Sequence, residues 1–269
     1  MRRILLPLAA VLLSAAVAPA AEKFTVRWLG QSFITVTTPS GKTIAFDPQV
    51  MTEFERRDKS DMLIKTKADF VCVSHEHDDH NRVEEAIEDG ADEKKVKVFR
   101  GMKLDKDKPN RPAEWNKLDE KVKVGEKSYR FRVFGCFHDE NSGLKRGKNA
   151  AFIVEADGLT FCHLGDLGHE LTEADAKIIG KVDVLFVPIG GIFTINAEAA
   201  KATVDMLKPR LYVVAMHYSV EGKPDTLQGP DEFVDLFKDT KKMTDTNELT
   251  ILSDAKADKP IPVLLGWKK

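Results

Sequence analysis

The chain has 269 residues, 42% of them hydrophobic and 31% charged, an ordinary balance for a globular protein. The formal net charge of -2 supplies no field that would draw it to nucleic acid or to an anionic membrane, so neither class of partner is expected.

The first twenty residues stand apart. Met1-Arg2-Arg3 is basic, Ile4 to Val17 is apolar with one proline, and Ala18-Pro19-Ala20 has the small-x-small form of a cleavage site. Together they read as a secretory signal peptide over 1–20, its apolar part too short to span a bilayer. A buried N-terminal helix and a twin-arginine signal are the competing readings and match less well. The expected mature protein, 21–269, is a single domain, periplasmic or secreted, with no stable membrane span. Loss of two arginines takes its charge to -4.

Phe24 to Trp28 and Phe33 to Thr37 alternate in polarity, Pro39-Ser40-Gly41-Lys42 is a turn, and Thr43 to Phe46 returns as a strand ending in Asp47-Pro48. This predicts an antiparallel meander. Residues 50 to 67 are charged and irregular, suggesting a short helix and a loop over a site. Ala68 to Val73 is a fully buried strand, Arg82 to Glu88 reads as a helix, and Lys95 to Phe99 as a strand. Residues 101 to 120 form a surface excursion before the strands at Lys121 to Val124 and Tyr129 to Phe134. Ala150 to Glu155 and Leu159 to His163 form a hairpin across Ala156-Asp157-Gly158. Helices are predicted at Thr172 to Ile179, Ala197 to Leu207 (stopped by Pro209) and Asp231 to Phe237. Strands are predicted at Val182 to Val187 and Leu211 to Ala215, with edge strands at Leu249 to Ile251 and Val263 to Leu265. The runs Glu93-Lys94-Lys95, Asp105 to Lys108 and Lys241-Lys242 read as solvated faces.

Cys72, Cys136 and Cys162 each lie in an apolar, strand-like stretch and read as small buried hydrophobes. No Cys-x-x-Cys pair occurs to suggest a zinc ribbon.

The chemistry concentrates in Ser74-His75-Glu76-His77-Asp78-Asp79-His80, a His-x-His-x-Asp-His pattern at the end of a buried strand. Imidazole and carboxylate in such density are ligands for Zn, Mn, Fe or Ni. Three further polar residues end apolar strands: His138, Asp166 and His217. Each alone reads as readily as a structural residue. Four strand ends delivering ligand-type side chains point to one edge of an α/β sheet, where functional residues gather. Asp47 reads equally well as a support for such a site or as a turn residue before Pro48. His163 and His169 flank Gly165-Asp166 and could meet substrate or merely support the site. Gly190-Gly191 suggests a tight turn beside it.

These segments resemble the metallo-β-lactamase superfamily of metal-dependent hydrolases. Trp28 to Ile34, Phe46-Asp47-Pro48, Ser74 to His80, Gly165-Asp166-Leu167-Gly168, Val187 to Gly191 and Pro209 to His217-Tyr218 follow in the order of the branch that contains L-ascorbate-6-phosphate lactonase. The resemblance runs from about residue 24 to residue 219. It implies an α/β fold, a four-layer αββα sandwich. It implies two divalent metal ions, zinc foremost with Mn, Fe and Ni also suited. One would be held by His75, His77 and His138, the other by Asp79, His80 and His217, with Asp166 bridging. The implied activity is attack by a metal-bridging hydroxide on a small-molecule lactone, phosphodiester or amide bond, with Asp79 orienting the nucleophile and Asp47, more weakly His163, fixing ligands from behind. Asn81-Arg82-Val83 after the motif lacks the glycine of glyoxalase II-like members and argues against a glutathione thioester hydrolase. After His138 the chain reads Asp139-Glu140-Asn141, not the Thr-Pro-Gly type of many relatives. A β-lactamase proper and a non-catalytic periplasmic metal-binding protein are the alternatives. Oligomeric state is not legible from the sequence.

Overall fold

A computed structural model describes residues 21–49, 67–87, 95–103, 114–220 and 226–266. The expected signal peptide, and residues 50–66 of the expected helix and loop, lie outside these.

Two sheets face each other. The first has six strands in the order β15-β1-β2-β3-β4-β5. They are β1 (Lys23–Trp28), β2 (Ile34–Thr37), β3 (Thr43–Phe46), β4 (Phe70–Val73), β5 (Lys97–Arg100) and the returning β15 (Glu248–Leu252). The expected meander is present, with β1, β2 and β3 antiparallel, after which β3, β4 and β5 run parallel. A minor pair, β6 (Met102–Lys103) and β7 (Glu114–Trp115), lies within the stretch expected to be a surface excursion. Trp115 anchors it by donating its indole N–H to the Asn149 carbonyl at 2.8 Å. Two-residue strands leave too short an alternation to be seen in the sequence.

The second sheet has eight strands in the order β14-β16-β13-β12-β11-β10-β9-β8. They are β8 (Asp119–Val124), β9 (Lys127–Phe137), β10 (Lys148–Ala156), β11 (Leu159–His163), β12 (Val184–Pro188), β13 (Tyr212–Met216), β14 (Lys241–Met243) and β16 (Ile261–Leu265). The hairpin at Ala156-Asp157-Gly158 joins β10 to β11 as expected. Val263 to Leu265 is not at an edge: β16 lies between β13 and β14. The edge is β14, which contains the Lys241-Lys242 run. Exposed lysines suit an edge strand, where they discourage pairing with another chain.

Aromatic side chains from both sheets fill the gap between them. Phe24 packs on Phe161 (5.5 Å between ring centroids), Phe46 on Phe186 (5.9 Å) and Phe70 on Phe131 (5.0 Å). Each ring buried this fully contributes about 1.5–3 kcal/mol. Cys72, Cys136 and Cys162 are free and buried in this core, as expected of small hydrophobes. Burial pushes the Cys136 and Cys162 thiols up to about 12, so they stay protonated.

Helices cover the outer faces. Helix α1 (Glu173–Ile179) starts from Thr172, whose hydroxyl and Asp175 form a reciprocal capping box. Helix α2 (Ala197–Leu207) is capped by the Asn196 side chain and buries Ala200, Val204 and Leu207 along one face, next to β12. Helix α3 (Asp231–Leu236) packs on α2. On the first sheet the described cover is a single 3-10 turn, Val83–Ala86, over β4. A longer helix was expected from Arg82. No side chain caps the turn, no basic residue closes it, and Ile87 is already extended. The layering is therefore helix, sheet, sheet and helical turn, an αββα sandwich.

Strand direction places the site. Strands β9, β11, β12 and β13 run the same way, so His138, Asp166, Gly190 and His217 emerge at one edge. In the facing sheet β3 and β4 end side by side, delivering Asp47 and the Ser74 to His80 loop.

Candidate metal centre

The His-x-His-x-Asp-His loop leaves β4 with its backbone pinned. Asp47 accepts the Ser74 N–H at 2.7 Å on Oδ1 and the Ser74 hydroxyl at 2.6 Å on Oδ2. Asp47 has a left-handed backbone (φ 45°), an uncommon conformation for a residue other than glycine.

Three groups of side chains converge. His75, His77 and His138 form one; Asp79, His80 and His217 form another; His75, His80 and Asp166 form a third. Within each, one ligand-type atom per residue lies within 4.8 Å of the others. Asp166 sits at the centre: its Oδ2 is 3.2 Å from His80 Nε2, 3.1 Å from His138 Nε2 and 3.5 Å from His217 Nε2. His75 Nε2 and His77 Nδ1 approach to 2.9 Å. All seven sequence-predicted ligands are thus brought together. His75, His80, His138, Asp166 and His217 are buried, whereas His77 and Asp79 are exposed and mark the side open to solvent.

The far nitrogens of three of these histidines are held from behind. His75 Nδ1 meets the Ser74 hydroxyl at 2.9 Å, His80 Nδ1 meets Asp47 Oδ2 at 2.9 Å, and His138 Nδ1 meets the Phe193 carbonyl at 3.1 Å. Such supports orient a ring and leave its other nitrogen for a metal. Asp166 Oδ1 accepts the Ser32 hydroxyl at 3.3 Å, and its backbone N–H donates to Asn149 Oδ1 at 3.1 Å. His217, also left-handed (φ 50°), donates its N–H to the Gln31 carbonyl at 3.0 Å. The Gln31 turn is in turn fixed by Trp28, whose indole N–H donates to that carbonyl while its ring stacks on Tyr218.

His163 lies behind the cluster. Its Nδ1 accepts the Gly165 N–H at 3.1 Å, so Nε2 carries the proton and donates to the Ser32 carbonyl at 2.9 Å. Its ring is fully buried and stacked on Phe46. With both nitrogens engaged it offers nothing to a substrate and acts on the Gly165-Asp166 turn. His169 packs beside Phe137, outside the cluster.

The electrostatics suit a cation. Burial holds His75 well below the ordinary imidazole value, and burial likewise lowers His77 and His217, so these rings are neutral donors. Burial opposes charge on Asp166 too, but the neighbouring His217 and His80 outweigh it and hold the carboxyl well below its usual range. Burial would lower His80; the Asp166 and Asp47 carboxylates outweigh it and hold the ring well above. His80 Nε2, the nitrogen that faces Asp166, is buried with no hydrogen-bond partner. An orphaned ring nitrogen beside a buried carboxylate is what a metal ion would satisfy. The residues present therefore fit divalent ions.

Several contributors are invisible in the sequence. Ser32 and Asn149 support Asp166 across 134 and 17 residues of chain, and Phe193 supports His138 across 55. Asp139 is the other. Its carboxylate accepts backbone N–H groups from Asn141 (2.8 Å), Gly143 (3.1 Å), Lys145 (3.0 Å) and Arg146 (2.7 Å), shaping the loop after His138. In place of a Thr-Pro-Gly turn, the Asp139 carboxylate organises this loop.

A family model described as a β-lactamase superfamily domain matches residues 25–217. A UPF0173 metal-dependent hydrolase of Cupriavidus necator is 30% identical over 241 residues, covering 80% of each chain. Another, from Saccharolobus solfataricus, is 30% identical over 208 residues, covering 72% of this chain and 84% of the relative. Among solved structures, a Thermotoga maritima protein assigned as a Zn-dependent hydrolase of the metallo-β-lactamase superfamily superposes with a TM-score of 0.60 at 27% identity, covering 90% of this chain and 98% of its own. The metallohydrolase Igni18 of Ignicoccus hospitalis shares the fold, with a TM-score of 0.61 at 21% identity, covering 85% of this chain and 98% of its own. The chain belongs to the metallo-β-lactamase superfamily and is a metal-dependent hydrolase.

Proposed function

We propose that this chain is an exported hydrolase with a dinuclear centre, acting on a lactone, phosphodiester or amide bond of a small molecule. The observation that carries the reading is the position of Asp166 Oδ2, within 3.5 Å of His80, His138 and His217 and so between the two trios. His75, His77 and His138 would hold one ion, and Asp79, His80 and His217 the other, with Asp166 shared. Divalent ions in such a site, zinc foremost, supply an acidified water and a Lewis acid for the developing oxyanion.

The side chains provide the rest. His77 and Asp79 face the open side, where substrate enters. Asp79 Oδ2 lies 3.6 Å from His80 Nε2 and is placed to accept a hydrogen bond from the attacking water and orient it. In a lactone, water oxygen bonds to the carbonyl carbon, the ring C–O bond breaks, and the departing oxygen takes up the proton that the water loses. Asp47, Ser74, Ser32 and Phe193 keep the cluster in register so that no ordering is needed at the moment of reaction. Residues 1–20 would direct the mature chain, a single domain of residues 21–269, to the periplasm or the medium.

Metal content measured by plasma mass spectrometry, beside hydrolysis of a lactone and phosphodiester panel, tests this. The mature protein is expected to hold about two ions per chain, and His77→Ala and His138→Ala to lower metal content and turnover together. A protein that takes up no metal and shows no turnover after reconstitution would overturn the reading.

A further inference from the structure

We propose that Arg100 and Glu76 are a positioning pair for one metal ion: Arg100 clamps the residue between His75 and His77 and so sets where the His77 ring stands. This rests on the reading above that His75, His77 and His138 share an ion, and adds the residues that make the trio rigid.

The first observation is a ligand without a support of its own. The Ser74 hydroxyl backs the His75 ring, and the Phe193 carbonyl backs that of His138. The His77 ring instead meets its fellow ligands, His75 at 2.9 Å between ring nitrogens and His138 at 5.0 Å between centroids. Among the described residues no hydrogen bond holds this exposed ring from behind. Its position must therefore come from its backbone.

The second is how that backbone is held. The His80 N–H donates to the His77 carbonyl at 2.9 Å, and the Asn81 side-chain amide donates to the Glu76 carbonyl at 3.0 Å, closing the loop on itself. The Glu76 side chain reaches out of the loop, where its Oε2 accepts a hydrogen bond from Arg100 Nη1 at 2.6 Å. The other oxygen, Oε1, is buried with no hydrogen-bond partner. Among the described residues Arg100 is therefore the one donor to a carboxylate that is mostly withdrawn from water, and such a group depends on its cation.

The third is the anchorage of Arg100. It ends β5 and pairs with Val73, the last residue of β4 before the loop. The Gly101 N–H donates to the Val73 carbonyl at 2.7 Å, and a Cβ on Gly101 would stand 2.5 Å from the Ser74 carbonyl oxygen. The Asn116 side-chain amide donates to the Arg100 and Met102 carbonyls at 2.8 Å and 3.0 Å, and the Asn116 N–H to the Gly101 carbonyl at 2.8 Å. Arg100 thus starts from a backbone fixed on both sides and packed against the chain that carries the ligands. With its side chain 38% exposed, the ion pair adds little to global stability. A fixed contact on the residue between two ligands acts instead on their geometry.

Cobalt(II) titration tests the assignment, because cobalt suits imidazole and carboxylate ligands and its visible bands report their geometry. Affinity is read by competition with a chromophoric chelator, beside the melting temperature of the metal-free protein. His77→Ala marks which step of the titration belongs to the His75 trio. By charge alone, removing a cation beside a metal site would tighten metal binding. Arg100→Met is expected to do the reverse, weakening the marked step about tenfold and altering the visible bands, with little change in the metal-free melting temperature. Arg100→Lys, which keeps a cationic donor for Glu76, is expected to restore affinity and bands. Glu76→Gln combined with Arg100→Met is expected to lose no more than the larger single loss, as for two residues acting as one unit. Unchanged or tighter binding in Arg100→Met would overturn the proposal. Normal bands with a lowered melting temperature would also overturn it, since the pair would then serve the fold alone. Wild type that takes up no cobalt would overturn the shared-ion reading and the proposal with it, whereas equal uptake by wild type and Arg100→Met would overturn the proposal alone.

Discussion

Asp139 shows how one side chain can stand in for a turn motif. Burial opposes its charge, but the N–H groups of Arg146, Asn141, Lys145 and Gly143 outweigh burial and hold the carboxyl below its ordinary range. A depressed folded value means that the charged form is favoured in the folded state. Its contribution is present in full above the unfolded value of about 4 and is lost as pH falls through the lower folded value. Asp139→Asn is expected to cost about 2 kcal/mol at neutral pH, in the range for hydrogen bonds to a charged group. Melting curves from pH 7 downward should show variant and wild type converging in acid. A gap that stays constant over that range would assign the loss to shape and not to charge.

At the scale of elements, the site depends on strand ends that approach more closely than side chains allow. A Cβ on Gly190, just after β12, would overlap the carbonyl oxygen of His217, just after the neighbouring β13. One on Gly168 would overlap the backbone of His138. Both glycines are therefore required by the spacing of adjacent chains that carry ligands. Gly190→Ala must push the His217 backbone outward. It is expected to destabilise by about 1–3 kcal/mol, as overpacking does, and to lower metal content as measured by mass spectrometry. A variant that retains full metal content would show that the β13 end can shift without moving the His217 ring.

The whole molecule gathers the imidazoles of three strand ends and the Asp47 and Asp166 carboxylates in a largely buried pocket, an arrangement costly to leave uncompensated. Metal uptake is thereby linked to folding. Chelation is expected to lower the melting temperature, and re-addition of Zn or Mn at about 100 times Kd should restore roughly 2.7 kcal/mol. Differential scanning calorimetry with and without chelator checks this. An identical transition in both would mean that the pocket is stable without ions and that Asp47 and Asp166 alone balance the histidines.

Much of this was legible before any coordinates. Local patterns carried it: alternation in Phe24 to Trp28, the Ala156-Asp157-Gly158 turn, and the Ala197 to Leu207 helix, whose limits the structure reproduces. Ligand-type residues were visible because each ends an apolar run, and a strand end is a local event. What failed were elements whose stability comes from elsewhere. The turn at Val83–Ala86 has no cap of its own, β6 and β7 are too short to show a period, and β16 reads as an edge strand until β14 is seen beside it.

The sequence by itself determined the superfamily resemblance, the candidate ligands and the order in which strands deliver them. Only the tertiary structure decided which nitrogens of His80 and His138 face Asp166 and that His163 is sealed behind the cluster. The physical reason is range. Hydrophobic periodicity and turn chemistry act over a few residues and leave their mark on the chain. The hydrogen bonds from Ser32 to Asp166 and from His138 to Phe193 join distant segments, and they exist only once the two sheets have packed.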